Sequence, residues 1–290
     1  GSALVAKNIS GHLKEFFADK DRGIKLVVYC ARGGKRSSSL ATVCTMVGWE
    51  TRVVEGGYKA YRKHVTSGIE KLCAALRFIV LAGKTGVGKT EVLGELQSNG
   101  YNVIDLELLA GHRGSVLGSY PDRRQPKQKL FESRVFEKLR KLDNQSHVFV
   151  EAESNKIGNL FIPAGLWNGM KGAPTVVLEN TLKNRTDHVL SEYDPAFLKE
   201  KKIPDLLSII ERKHPKIDVM QLRENVQKER WDDFVSTVIR DYYDPLYDHA
   251  IARRKNNFIG KISVDGPVKS SVSRVSHEIT SILSKGFSKL

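Results

Sequence analysis

The eight residues from Gly83 to Thr90, GKTGVGKT, constrain the fold of this chain more than any other stretch. They fit the pattern GxxxxGK[ST], and they stand between the apolar run FIVLAG and the helix-forming run EVLGELQS. Glycines let successive backbone N–H groups face one anion, while Lys89 and the helix N-terminus add positive charge. The sequence therefore predicts a di- or triphosphate site, with a chance glycine-rich turn as the alternative. The residues predicted to bind phosphate are Gly83, Thr85, Gly86, Val87, Gly88, Lys89 and Thr90.

Strand-like and helix-like segments alternate around this motif. Strands are predicted at FIVLAG, YNVIDLE, HVFVE and PTVVLEN, and helices at EVLGELQS and over residues 127–142. Such alternation is typical of an α/β fold with a parallel sheet that is covered on both faces. From about Asp187 the pattern becomes mostly helical. We therefore predict a parallel-sheet, P-loop NTPase-like domain over residues 77–290 with a helical C-terminal extension.

An acidic residue at the end of a later strand often lies near the metal in folds with a phosphate loop. The run VFV ends in Glu151, and Glu153 follows two residues later. Glu151 is thus a candidate catalytic residue, as a base or a metal ligand, and an acidic strand cap is the alternative. No cofactor is predicted apart from a Mg²⁺ ion that the Thr90 hydroxyl could hold. No cysteine pair has the close spacing of a zinc site.

A second glycine-rich turn follows the run KLVVYC, residues 25–30, which predicts a buried strand. The turn has the pattern Cys-x5-Arg from Cys30 to Arg36, and a helix is predicted from Ser37. Backbone N–H groups, a helix N-terminus and the nearby cations Arg32, Lys35 and Arg36 all favour a thiolate. Cys30 and Arg36 are therefore candidate catalytic residues, because a thiolate there can carry sulfur or selenium or attack a phosphate. The alternative is a small core cysteine.

The chain has three cysteines and a formal net charge of +14. A sparse, odd cysteine count predicts no disulfide framework and suits the cytoplasm, and Cys44 and Cys73 are expected in the core. The charge indicates a polyanionic partner such as nucleic acid, with solubility alone as the alternative. The longest apolar stretch, around Leu72 to Ala82, is interrupted by Arg77, so no membrane interaction is predicted.

Several stretches together resemble the tRNA 2-selenouridine synthase family, in which a rhodanese-like domain is joined to a P-loop domain. They run from Val28 to Asp248, and the blocks between the phosphate loop and Pro163 are specific to this family. The matching stretches are YCARGGKRS, EGGYKAYR, LAGKTGVGKTEVL, DLELLAGHRGSVLG, QPKQKLFES, VEAESNKIGNLFIP and YYDPLYD.

The resemblance implies a transferase that modifies the wobble uridine of certain tRNAs. The sulfur of 2-thiouridine would be replaced by selenium from selenophosphate, by way of an S-geranyl intermediate made from geranyl diphosphate. Cys30 would be the catalytic thiol, Arg36 would help to bind the anion, and the phosphate loop would hold the diphosphate. The implied partners are tRNA, at its anticodon region, together with selenophosphate and geranyl diphosphate.

The resemblance also places substrate contacts in three blocks. The HRGS block follows the second strand of the P-loop domain, near the sheet edge where ligands bind in open α/β folds, and Arg113 could pair with a phosphate. A polar loop is the alternative for this block. The candidates are His112, Arg113, Ser115, Gln125, Glu153 and Ser154, with Gln128 and Glu132 as weaker ones.

Two basic runs are candidates for contact with tRNA. Residues 121–141 carry eight Lys or Arg against three Asp or Glu. Within this run, Arg123, Arg124 and Lys127 are predicted to contact tRNA. The second run, residues 253–255, lies close in sequence to Tyr242, Tyr243 and Tyr247, which could stack on unpaired bases. A solvated helix face is the alternative for each run.

The chain departs from the family at its start, because a rhodanese-like domain normally begins several dozen residues earlier. Residues 1–72 are therefore predicted to be the C-terminal part of such a domain in a truncated chain, with apolar sheet faces and edges exposed. On this basis the truncation affects the selenium-transfer half of the activity and leaves the P-loop domain and the geranyl step intact. Two other functions stay open: an NTP-dependent kinase or ATPase with a rhodanese-like appendage, and a tRNA-binding module without catalysis.

Overall fold

The chain forms two compact units, Gly1–Gly68 and Ile69–Leu290, which divide inside a long helix. Each unit is built around its own parallel sheet. The computed structural model describes residues 1–114, 118, 124–192, 203–252 and 257–286.

The first unit is a two-stranded parallel sheet with helices. Its elements are α1 Ser2–His12, a π-helical turn Leu13–Phe17, β1 Leu26–Val28, α2 Lys35–Val47, β2 Thr51–Val53 and the start of α3 Gly57–Ala75. The prediction of a buried strand over residues 25–30 is wrong in its length and burial. The strand has three residues, and Val27 is 65% exposed because successive side chains of a strand point to opposite faces of the sheet. Cys44 of α2 is fully buried, as predicted.

The second unit contains a parallel sheet, as the sequence predicts, and the sheet has five strands. Its strand order is β4-β5-β3-β8-β9, and a short antiparallel hairpin, β6-β7, stands apart. The strands are β3 Arg77–Gly83, β4 Asn102–Ile104, β5 His147–Glu151, β6 Lys156–Ile157, β7 Leu160–Phe161, β8 Thr175–Glu179 and β9 Phe258–Ser263. The edge strand β9 lies in the region that the sequence predicts to be mostly helical, and no motif in the sequence marks it as a strand.

Helices fill the rest of this unit and confirm the helical C-terminal extension. They are α4 Lys89–Ser98, α5 Leu106–Ala110, α6 Gln128–Leu139, α7 Ala164–Lys171, α8 Leu182–Glu192, α9 Ile203–Lys213, α10 Val219–Gln227, α11 Trp231–Thr237, α12 Asp244–Ala252 and α13 Val268–Gly286, with a π-helical segment Val238–Tyr243. The predicted strand YNVIDLE ends early, at Ile104. Asp105 instead caps α5, because its side chain accepts a hydrogen bond from the Leu108 N–H at 2.7 Å.

Two apolar clusters hold the second unit together. One joins the sheet to α4 and α13 and includes Leu81, Leu93 and Ile279, all almost inaccessible to solvent. The other joins the helices after α8, where Leu206 and Ile210 of α9 lie four residues apart on one helix face. Burial of a side chain of this size stabilises a fold by about 1.5–3 kcal/mol. Cys73 is also buried, as predicted.

No helix in the described ranges combines the length and the apolar character that crossing a bilayer would require.

Candidate functional site

The phosphate loop lies between the end of β3 and the start of α4. The N-cap of α4 is Gly88, which has no side chain to accept hydrogen bonds from the first-turn N–H groups. Unpaired N–H groups at a helix N-terminus attract an anion. The Lys89 ammonium folds back over the loop and donates to the Gly83 carbonyl oxygen at 3.0 Å. The loop thus places the Lys89 ammonium beside an uncapped helix N-terminus, an arrangement that favours an anion, and Thr90 follows Lys89 in an exposed position.

Helices α8 and α12 brace the loop through a buried ion pair. Both terminal nitrogens of Arg185 lie 2.8 Å from the carboxylate of Asp244, and Arg185 also donates to the Thr85 carbonyl oxygen at 3.3 Å. Gly86 has a φ of +78°, and a Cβ there would lie 2.5 Å from the Arg185 carbonyl oxygen, so a side chain does not fit. The Lys84 ammonium extends the network to Asp248 at 2.9 Å.

Three glutamates gather beside Lys89. The Glu107 N–H donates to Oε1 of Glu151 at 2.9 Å, and the side chains of Glu107 and Glu153 are hydrogen-bonded to each other. A Cβ on Gly114 of the HRGS block would lie 2.6 Å from Oε1 of Glu107 and 3.0 Å from Oε2 of Glu153. The structure therefore brings this block to the acidic cluster, next to the phosphate-loop lysine.

Burial raises the pKa of all three carboxyl groups. It raises the pKa of Glu107 to about 8, with the charge of Glu153 as the second cause. It raises the pKa of Glu153 to about 7, although Lys89 and the hydrogen bond with Glu107 oppose the rise. The pKa of Glu151 is raised well above its ordinary value by burial and then by the neighbouring acids. Near neutral pH this cluster can therefore take up or release a proton.

Tyr247 covers the lysine from another direction. The Lys89 ammonium lies 5.4 Å from the centroid of the Tyr247 ring, within range of a cation–π contact. Burial raises the pKa of the Tyr247 hydroxyl, and the charges of Glu153 and Glu107 raise it further. Lys89 is thus enclosed by an aromatic ring and by carboxyl groups.

The donor set beside the loop fits a Mg²⁺ ion only in part. In the described portion of the chain, no three His, Cys, Asp or Glu side chains are arranged to hold a metal. Mg²⁺ in phosphate sites, however, is usually bound by one or two protein oxygens together with substrate oxygens and water. Within the same portion, Oε2 of Glu151 is buried and has no hydrogen-bond partner. Glu151 and Thr90 are the residues that would hold the ion, and this role stays a prediction.

The thiol loop of the first unit surrounds Cys30 with donors. The sulfur accepts from the Gly34 N–H at 3.3 Å and from the Ser37 hydroxyl at 3.4 Å. The hydrogen bond from Ser37, followed by those from the Gly34 and Arg32 N–H groups, lowers the pKa of Cys30 to about 6. Cys30 is therefore largely a thiolate at neutral pH, whereas burial raises the pKa of Cys73 to about 12. Arg36 is exposed in the first turn of α2.

The glycines of EGGYKAY support this loop from the other side. The Tyr58 N–H donates to the Cys30 carbonyl oxygen at 2.9 Å, and the Lys59 N–H donates to that of Ala31 at 3.0 Å. Gly57 has a φ of +59°, and a Cβ there would collide with the Cys30 carbonyl oxygen and the Gly33 nitrogen. The two blocks therefore form one structural feature around the sulfur.

Comparison of the sequence with known proteins shows which family the chain is similar to. The family model described as the tRNA 2-selenouridine synthase AAA domain matches residues 76–204. The tRNA 2-selenouridine synthase of Alcanivorax borkumensis is 32% identical over 260 residues, which cover 80% of this chain and 70% of that one. The enzyme of the same name from Marinobacter nauticus is 29% identical over 291 residues, covering 89% and 77%.

The chain belongs to the tRNA 2-selenouridine synthase family. Among solved structures, shikimate kinase from Bacteroides thetaiotaomicron is 13% identical and aligns with a TM-score of 0.32, covering 70% of this chain and 98% of that one. A similarity of that size adds nothing to the assignment of the family.

Several of the candidates in the family-specific blocks have structural partners. The Gln125 side-chain amide donates to the Ile157 carbonyl oxygen at 3.1 Å and accepts from the Asn159 N–H at 2.9 Å. Gln128 pairs in the same way with the backbone of Phe161. The Ser154 hydroxyl donates to the Lys156 carbonyl oxygen at 2.6 Å. Gln125 and Gln128 thus hold the β6-β7 hairpin, and Ser154 shapes the turn before it.

The structure describes only part of the HRGS block and of the two basic runs. His112 is buried, and its backbone N–H donates to the Glu107 carbonyl oxygen at 3.0 Å. The Arg113 guanidinium lies 4.0 Å from the Glu192 carboxylate. Arg124 and Lys127 are exposed. Ser115, Arg123 and residues 253–255 lie outside the described residues.

The expectation that tyrosines near residues 253–255 stack on bases is wrong for two of them. Tyr242 is 5% and Tyr243 7% exposed, and their rings pack against each other at 4.9 Å. They belong to the helical core, because they lie on the inner side of the π-helical segment.

The sequence motifs do not single out Glu107, Arg185, Asp244 or Ser37. Glu107 lies inside the family-specific block DLELLAGHRGSVLG and Ser37 inside YCARGGKRS, so those blocks held a signal for both. Arg185 and Asp244 lie a hundred and more residues beyond the loop that they brace. Asp244 falls inside the family block YYDPLYD, whereas none of the matching stretches contains Arg185.

Proposed function

We propose that this chain modifies the wobble uridine of tRNA, replacing the sulfur of 2-thiouridine with selenium by way of an S-geranyl intermediate. Family membership supports tRNA as the substrate. The observation that carries the proposal is that this family member has two glycine-rich loops before a helix N-terminus, one with Lys89 folded over it and one with hydrogen-bond donors around the Cys30 sulfur. We further propose that it works in the reducing cytoplasm, where Cys30 stays free of disulfides.

The phosphate loop is proposed to bind the diphosphate of geranyl diphosphate. In the alkylation, the sulfur of 2-thiouridine forms a bond to the first carbon of the geranyl group, and the bond from that carbon to the diphosphate oxygen breaks. The leaving diphosphate gains negative charge on its bridging oxygen. The N–H groups at the start of α4 and the Lys89 ammonium would stabilise that charge.

The Glu107–Glu153 pair is proposed to take the proton that alkylation releases. A 2-thiouridine that is alkylated on sulfur loses the proton from N3, so the step needs a base. A carboxyl pair with pKa values of about 7 and 8 can accept a proton near neutral pH. Glu151 lies deeper than this pair and is hydrogen-bonded to the Glu107 N–H, so it would support the pair or bind a metal.

The thiol loop is proposed to serve the selenium step. In that step the selenium of selenophosphate forms a bond to C2 of the S-geranyl base, and the bond from C2 to sulfur breaks, so that the sulfur leaves as geranylthiol. Water then cleaves the bond between selenium and phosphorus and releases phosphate. Cys30 is the proposed catalytic thiol, and Arg36 would attract the selenophosphate anion. Ser37 and Gly34 keep the sulfur in its thiolate form, which is the nucleophilic one.

The exposed basic side chains of α6 and the segment before it are proposed to contact tRNA phosphates. Arg124, Lys127 and Lys129 are exposed there. Each phosphate contact that is lost should lower the salt dependence of tRNA binding by about one unit of slope.

Nucleoside mass spectrometry tests the proposal. Purified chain is incubated with tRNA that carries 2-thiouridine, first with geranyl diphosphate and then with selenophosphate as well. We expect S-geranyl-2-thiouridine in the first reaction and 2-selenouridine in the second. ATP turnover without any new nucleoside would instead support the kinase or ATPase, and salt-sensitive tRNA binding without either would support a binding module.

A further inference from the structure

A cleft of about 770 Å³ lies beside the phosphate loop, between β8, β9 and α12. Its volume is within the range of small-molecule sites, about 300–1,000 Å³. Lys84 and Val87 of the loop form one wall, so the cleft borders the loop directly. None of the motifs in the sequence points to it.

The charges in the described part of the cleft wall are balanced by ion pairs. Lys84 pairs with Asp248 at 2.9 Å, and Lys261 pairs with Glu179 at 2.8 Å. Arg185 is engaged by Asp244. A paired cation attracts a further anion only weakly, so this wall favours an uncharged group.

The neutral polar groups of the wall are engaged as well. Asn180 donates to the Gly266 carbonyl oxygen at 3.2 Å and accepts from the Thr181 N–H at 2.8 Å and from Asn184 at 2.9 Å. The Ser263 hydroxyl donates to Asp265 at 2.6 Å. A nucleobase needs hydrogen-bond partners in its pocket, and these side chains already have theirs.

The remaining wall is apolar. Val87, Val177 and Leu178 are buried, and Ile251 and Phe258 complete the lining. Phe258 is 39% exposed on the edge strand, where an apolar ligand would cover it.

We infer that this cleft holds the geranyl chain of geranyl diphosphate while the phosphate loop holds its diphosphate, and that Ile251 and Phe258 set the selectivity for the chain. The inference rests on the proposed function and deepens it. The chain-binding residues come from α12 and β9, and the diphosphate-binding residues come from the loop between β3 and α4.

Calorimetric binding tests the inference with three probes: geranyl diphosphate, inorganic diphosphate and ATP. The variants are Ile251→Ala and Phe258→Ala, with Phe161→Ala as a matched control, because Phe161 is an exposed aromatic residue outside the cleft. We expect each cleft variant to lower the affinity for geranyl diphosphate about tenfold, because part of an apolar pocket is removed. The affinity for inorganic diphosphate should not change. The control should bind all three probes like the wild type.

A second pair of variants keeps the test informative if alanine at residue 258 unfolds the edge strand. Phe258→Leu should give a smaller loss, and Ile251→Trp should favour five-carbon dimethylallyl diphosphate over geranyl diphosphate. The inference is overturned if the wild type binds geranyl diphosphate more tightly than inorganic diphosphate but no cleft variant changes that preference. It is also overturned if ATP is the tighter ligand and loses affinity in these variants. If the wild type shows no preference for geranyl diphosphate over inorganic diphosphate, the proposed function itself is wrong.

Discussion

The phosphate loop and the thiol loop both follow a parallel strand, and both lead into a helix whose N-cap is a glycine, Gly88 in one and Gly34 in the other. Their surroundings differ. The phosphate loop is braced by Arg185 and Asp244, which follow it by a hundred residues or more and are nearly buried. In the thiol loop, the sulfur accepts its hydrogen bonds from Gly34 and Ser37, four and seven residues after the cysteine.

The two loops thus share one local pattern but differ in what sets the pKa values of their side chains. In the phosphate loop, tertiary contacts fix the backbone, and burial shifts the pKa values of the nearby carboxyl groups upward. In the thiol loop, local hydrogen bonds alone lower the pKa of the sulfur. Stability should therefore depend on distant residues in the first case, and reactivity on neighbouring ones in the second.

The largest expected effect is a loss of stability when the ion pair between Arg185 and Asp244 beside the phosphate loop is broken. Asp244→Asn leaves the buried guanidinium of Arg185 without its counter-charge, and we expect a loss of about 3–5 kcal/mol in the free energy of unfolding. The control is Asp187→Asn, which breaks the exposed pair with Lys183 at 2.7 Å and should cost at most about 1 kcal/mol. Urea denaturation at pH 7 measures both. Equal losses in the two variants would show that the buried pair does not brace the loop.

A smaller change in the free energy of unfolding is expected when Glu107 and Glu153 lose their protons. The pKa values of Glu107 and Glu153, about 8 and about 7, lie above the ordinary value of 4.5, so the folded state binds their protons more tightly. This stabilisation is complete below about pH 4.5 and is lost as the pH rises through 7 and 8. We expect the wild type to lose on the order of 2 kcal/mol between pH 6 and 9 from this source.

The variant Glu107→Gln should flatten that pH dependence, because glutamine keeps the shape of the side chain and has no proton to lose. Glu137→Gln is the control, since Glu137 is exposed on α6 and pairs with Arg140. Denaturation at several pH values gives the slopes. A slope for Glu107→Gln equal to that of the wild type would mean that the pair carries no extra proton in the folded state.

The smallest expected effect is on the reactivity of Cys30 in the thiol loop. Ser37→Ala removes the largest cause of the lowered pKa of Cys30, so the thiolate fraction at pH 6 should fall. Alkylation of Cys30 by iodoacetamide should slow several-fold at that pH, and peptide mass spectrometry separates it from Cys44 and Cys73. In the control Ser39→Ala, the hydroxyl that is removed donates only along the helix, to Lys35 at 2.7 Å. An unchanged rate for Ser37→Ala would assign the low pKa to the loop N–H groups instead.

The same contrast explains what the sequence could predict. The strand–loop–helix pattern of both loops is local, so Cys30 and Gly83 to Thr90 could be found from spacing and composition. Edge strand β9 could not, because FIGKIS mixes polar and apolar residues and follows a helical pattern. The pairing of Arg185 with Asp244 is fixed only when α8 and α12 meet beside the loop, and no short pattern encodes that contact. The packing of Tyr242 and Tyr243 depends in the same way on the whole helical cluster.

The central claim is that the two loops serve two separate steps on one uridine. Nucleoside mass spectrometry on Lys89→Ala and Cys30→Ser, with tRNA that carries 2-thiouridine and with both donors present, tests it most directly. We predict that Lys89→Ala lowers S-geranyl-2-thiouridine by about 10²- to 10³-fold, because the leaving diphosphate loses its main cation. Cys30→Ser should leave S-geranyl-2-thiouridine and lose 2-selenouridine. An undiminished yield of S-geranyl-2-thiouridine from Lys89→Ala would contradict the account.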